Sequence, residues 1–191
     1  QRQMRIRDSN GVLPDDLVVK HVQQVPSDFH ARHSSVGKRY RYLVCNLPYR
    51  SPFSRNKSWW VRKSLNLEAI REASSYLIGK HDFSTFRAAA CSSPNPNKDL
   101  REILCDVKPW LHANLCFELE ADSFLQHMVR IMVGTLVQVG TGKLKPEQMK
   151  GILESRDRTQ AGLTAPAHGL YALAVRYPED RIKWPNELMD S

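Results

Sequence analysis

The sequence has no long apolar run. Its best stretch, residues 131–139, is interrupted by Gly134 and Gln138 and falls far short of a membrane span. No basic segment followed by an apolar one opens the chain, so it reads as carrying no signal peptide. Cysteine is sparse: Cys45, Cys91, Cys105 and Cys116 include no Cys-x-x-Cys pair. That spacing argues against a secreted disulfide scaffold and against a structural zinc site, and for reduced thiols in the cytoplasm or an organelle. Internal repeats and low-complexity tracts are also missing, which excludes solenoid architectures.

What the first third lacks is acid. Residues 1–63 hold 13 Lys/Arg against 4 Asp/Glu, a net +9, whereas residues 64–191 hold 15 against 16, a net −1. A basic block of this kind favours a polyanion, because each phosphate it neutralises releases counterions. Composition alone leaves three readings open: a nucleic acid partner, an acidic protein partner, or a solvated basic surface. With 191 residues, 41% hydrophobic and 25% charged, the chain can bury one substantial core.

The pattern along the chain predicts an α+β fold. Residues 1–15 carry turn chemistry, and 17–25, rich in β-branched residues, reads as a strand. Residues 36–46 alternate as a strand, with Arg39 and Arg41 on one face and Tyr40, Tyr42 and Val44 on the other. A helix is expected over 66–79, stopped by Gly79, followed by a loop over 88–99. Strands at 100–111 and 114–121 form a pair joined at His112-Ala113. Helices are expected at 124–139 and 146–154, and a closing strand at 170–177. Interleaved in this order, they imply a mixed or antiparallel sheet with helices on one face. Residues 1–35 read as the end of a preceding domain, 36–178 as the main domain, and 179–191 as a polar tail. His30, His81 and His127 show no metal-binding spacing.

Several short motifs, taken in order, carry a resemblance. They are Phe29-His30-Ala31-Arg32, Lys38-Arg39-Tyr40-Arg41-Tyr42, His81-Asp82-Phe83 with Phe86-Arg87, and Phe124 with His127-Met128-Val129-Arg130 and Gly134. Asp157-Arg158-Thr159 and Gly169-Leu170-Tyr171, running to Tyr177-Pro178, complete the set. Each is weak alone; together, over about 150 residues, the sequence resembles the TruA family of tRNA pseudouridine synthases.

The resemblance implies isomerisation of uridine to pseudouridine in the anticodon stem-loop of tRNA, with no metal or other cofactor. The family's aspartate attacks or deprotonates the nucleoside, and the target base must first leave its stack. By resemblance Tyr40 lines the uracil pocket, Arg130 pairs with the catalytic aspartate, and Leu170 forms an apolar wall under the base. Arg32, Lys38, Arg39, Arg41, Arg87 and His127 are the implied RNA contacts, and a homodimer is the implied assembly. Read from the residues alone, Tyr40 and Tyr42 are equally ordinary strand aromatics and Arg130 a solvated helix arginine.

One family feature is missing. The nucleophile lies in a Gly-Arg-Thr-Asp-x-Gly motif upstream of Phe29-His30-Ala31-Arg32, and nothing in residues 1–28 matches it. Arg158-Thr159-Gln160-Ala161-Gly162 imitates it with a glutamine in the critical place, which cannot act as nucleophile. Asp15, Asp16 and Asp157 do not fit either. The chain therefore reads as the C-terminal part of such an enzyme, inactive alone and exposing apolar surface where an N-terminal half would dock. A non-catalytic RNA-binding module derived from the family is the alternative, and a basic interaction domain unrelated to RNA is the third.

Overall fold

A computed structural model describes residues 2–110, 113–179 and 181–182. The turn expected at His112-Ala113 and most of the 179–191 tail thus lie outside the described residues. The chain divides into two compact units, one of Gln1–Ser34 with Tyr177–Ser191, the other of Ser35–Arg176.

In the first unit, α1 (Arg2–Asn10) occupies a segment expected to be turns. It has no apolar stripe, so periodicity gave no sign of it. Residues 17–25 form no strand; Leu17 and Val18 are 57% and 63% exposed, and the Val19 backbone is instead bridged both ways by the Asn10 side chain. β-branched residues favour a strand only where a neighbouring strand gives them a surface to pack on. Phe29 packs on Tyr177 with ring centroids 5.1 Å apart, and the Tyr177 hydroxyl donates to the Ala31 carbonyl.

The second unit is built on six strands: β1 (Gly37–Cys45), β2 (Trp59–Trp60), β3 (Gly79–Asp82), β4 (Asn97–Trp110), β5 (Ala113–Ala121) and β6 (Leu170–Arg176). β1 is antiparallel to β5 on one side. On its other side it pairs with β6 over Gly37 to Tyr42, then in parallel with β2 at Val44 and Cys45. β5 continues to β4, and β4 to β3, both antiparallel. The sheet is mixed, as expected.

Three helices, α2 (Leu67–Ser75), α3 (Met128–Gly140) and α4 (Gln148–Ser155), share one core with the sheet. α2 starts where Asn66 accepts the Ala69 N–H, and it buries Ile70 and Ala73. It ends earlier than its pattern suggested, at Ser75, and Gly79 at φ +112° opens β3. α3 also starts later than expected: residues 124–125 have no regular structure and 126–127 are a turn, with His127 at φ 62°. Tyr42, Val44, Leu115, Phe117 and Leu119 meet Met128, Ile131, Met132 and Leu136 in that core. All four cysteines are buried, and among the described residues no helix is long and apolar enough to cross a membrane.

Candidate active site

Strand alternation aims Lys38, Tyr40 and Tyr42 at the face the helices cover. The Tyr40 ring meets Phe124 edge-on, with centroids 5.2 Å apart and planes at 90°. Tyr42 is fully buried, and its hydroxyl donates to the Pro166 carbonyl at 2.7 Å. Burial drives the Tyr42 phenol well above its ordinary pKa, with the nearby Arg130 charge acting weakly the other way. It is therefore a neutral hydrogen-bond donor throughout the physiological range.

Arg130 lies in the first turn of α3, half-buried. Its Nε donates to the Ala165 carbonyl at 2.6 Å, and the Ala165 N–H donates back to the Arg130 carbonyl at 3.1 Å. Consecutive residues, Ala165 and Pro166, thus bind Arg130 and Tyr42. The terminal nitrogens of Arg130 meet no carboxylate among the described residues. Leu170, four residues after Pro166, is half-buried against the core and paired with Tyr42 across the strands. The structure places Arg130 and Leu170 beside Tyr42, with Tyr40 two residues before Tyr42 on the same face of β1.

Close packing fixes that segment. A Cβ on Gly134 would lie 1.8 Å from the Leu163 carbonyl oxygen, and one on Gly169 would lie 2.8 Å from the Tyr42 ring. Two backbones meet at the first and an aromatic face at the second, so only glycine fits. Gly134 and the Arg130 backbone both pack against the 163–165 stretch.

Arg158 has a role that sequence reading missed. Its guanidinium donates to the Ala161 and Gly162 carbonyls and to the Thr164 hydroxyl, while Asp157 holds Thr159 through backbone and side chain. The Asp157-Arg158-Thr159 motif thus shapes the approach to Ala165. The signal available in the sequence was its position directly before that segment.

The other expected contacts separate by location. Arg87 donates to the Cys91 carbonyl, and the Ala88 N–H to Gln126, so Arg87 and His127 lie near the N-terminal end of α3. Arg39 and Arg41 lie on the opposite face of β1, away from Tyr40. Each guanidinium grips one oxygen of Glu118 through two N–H groups at 2.7–3.1 Å, and Arg39 also meets Glu102 and Glu120. The structure does not bring these two arginines to the Tyr40 site. Arg32 is exposed in the first unit, its N–H donating to the His30 ring. Among the described residues no cluster of three or more His, Cys, Asp or Glu could hold a metal.

A family model described as tRNA pseudouridine synthase matches residues 73–178. A tRNA pseudouridine synthase A from a Thermoanaerobacter species is 43% identical over 168 residues, 88% of this chain and 68% of the relative. The chain belongs to the TruA family of tRNA pseudouridine synthases. Further TruA relatives include those of Syntrophotalea carbinolica, 41% identical over 91% of this chain and 68% of their own length, and Variovorax paradoxus, 42% identical over 94% and 66%. The family match spans α3, the Arg158 segment and β6, and so includes Arg87, His127, Arg130 and Leu170.

Proposed function

We propose that this chain supplies the Tyr40–Arg130–Leu170 side of a pseudouridine synthase active site acting on the anticodon stem-loop of tRNA. It is the C-terminal part of that enzyme, and the nucleophilic aspartate belongs to a segment outside this sequence. The observation that carries this reading is the clasp between Arg130 and Ala165 beside the Tyr42–Pro166 bond. It spends the Arg130 Nε on the fold and leaves the terminal N–H groups to hold and orient a carboxylate. Tyr40, beside Phe124, offers a ring face for a base drawn out of its stack. Leu170 closes the floor of the site.

Residues 1–35 are the end of the domain that carries the aspartate. Lys38, Arg87 and His127 meet RNA near the site, and Arg32 adds a phosphate contact. Arg39 and Arg41 act instead by bracing the sheet through Glu118. The active form is a homodimer.

Mass spectrometry of tRNA treated with the protein tests the reading. The chain alone should form no pseudouridine, and a protein extended upstream through an Arg-Thr-Asp motif should form it. In the extended protein Tyr40→Ala and Arg130→Ala should each abolish turnover while tRNA binding persists. Normal turnover in either variant rejects the site. The absence of a Gly-Arg-Thr-Asp-x-Gly match in these residues also favours a second reading, an RNA-binding module without catalysis. An upstream reading frame without the motif would decide for it.

A further inference from the structure

Beyond the end of β1 the chain turns through residues 46–66, which hold Arg50, Arg55, Lys57, Arg62 and Lys63 and no acidic residue. Four aromatic residues, Tyr49, Phe53, Trp59 and Trp60, are interleaved with them. This turn is well built. The Ser54 N–H donates to Ser51, and those of Lys57 and Ser58 both donate to the Ser54 carbonyl, while Asn56 takes a left-handed φ of 59°. The Trp60 Nε1 donates to the Leu47 carbonyl, and Val61 returns to Cys45.

A cavity of about 440 Å³ opens here, lined by Arg50, Ser51, Arg55, Trp59, Trp60 and His168 among others. The Arg50 guanidinium lies 4.7 Å from the centroid of the Trp60 ring. Tyr49 and Phe53, 67% and 76% exposed, are chain neighbours of its lining residues Arg50, Pro52 and Ser54. His168 hydrogen-bonds to the Ser58 carbonyl, so this wall belongs to the segment that carries Ala165, Pro166 and Leu170.

Large aromatic rings held at such exposure, with cations between them and no acid, match the requirements of an unpaired nucleotide. Its base needs a flat partner, an aromatic ring or a guanidinium plane, and its phosphate needs arginine. We infer that the 46–66 turn is a second RNA site, beside the segment that carries Leu170, that takes one unstacked nucleotide of single-stranded RNA. Its base stacks on Phe53 or on the Arg50–Trp60 pair, and Arg50 and Arg55 hold the flanking phosphates. This rests on the proposal that the chain binds RNA, but not on its catalytic assignment.

The test is binding of the full chain to a labelled oligouridine of about ten nucleotides, within the length such sites cover, and to a blunt RNA duplex of equal length. Phe53→Ala should weaken oligouridine binding about tenfold, the scale of one lost stack, and leave duplex binding unchanged. Arg50→Ala with Arg55→Ala should reduce the slope of log affinity against log salt for oligouridine by about 1.4, or 0.7 for each phosphate contact. Arg50→Lys, which keeps the charge but not the plane, should retain the slope and still lose affinity. Oligouridine binding that matches the parent chain in these variants overturns this site and leaves the Tyr40–Arg130 proposal standing. Equal weakening of both probes by Phe53→Ala overturns the unpaired-base reading. Failure of the parent chain to bind either oligouridine or tRNA at low salt overturns this site and the RNA proposal together.

Discussion

Glu118 is only 7% exposed, yet it is ionised between two arginines on the sheet face away from the helices. Burial pushes its carboxyl upward, but the hydrogen bonds and charges of Arg41 and Arg39 together outweigh it and hold the pKa below its ordinary 4.5. A carboxylate whose folded value is depressed adds stability in full above its unfolded value. That contribution drains away as pH falls toward the folded one. Glu118→Gln should therefore lower Tm at pH 7, and the gap to the parent should narrow as pH drops below about 4.5. Thermal melts across pH 3 to 7 check this. On the other face, Tyr42→Phe removes the donor to Pro166 and should cost about 1 kcal/mol in a denaturant titration. Gly134→Ala places a methyl group against the Leu163 carbonyl and should cost about 3 kcal/mol, read in the same way.

The elements show what the sequence made legible. Strong periodicity revealed β1, β5 and α3, because each buries a regular set of residues in one core. Tyr40, Arg130 and Leu170 are singled out by motifs, whereas their surroundings are not. The Ala165 carbonyl that holds Arg130 and the Pro166 carbonyl that holds Tyr42 are backbone atoms, which leave no mark in residue types. β2 and β3, at 2 and 4 residues, were too short for alternation to register. The 156–165 segment has no repeating pattern, yet Arg158 ties three of its groups together. Arg158→Ala should loosen this segment without unfolding the sheet. Hydrogen exchange should rise at Gly162 and Ala165, whose N–H groups bond to Thr135 and Arg130, and stay unchanged at Phe117 in β5.

Across the whole molecule, the charge imbalance of the first third has two parts with different fates. On the outer sheet face Arg39, Arg41 and Arg176 stand against Glu102, Glu118 and Glu120, three cations to three anions. Little net field remains there to draw a polyanion. The 46–66 turn has five cations and no acid of its own. Salt dependence of tRNA binding separates the two, because its slope counts only the charges that displace counterions. Arg41→Ala strips half of the grip on Glu118 and should cost about 2 kcal/mol, since bonds to a charged group are lost. For a chain of this size that is a fall in Tm of about 6 °C. The salt slope should stay within error of the parent chain. A slope reduced by about 0.9, with Tm unchanged, would place Arg41 on a phosphate of duplex RNA and return the outer face to the binding surface.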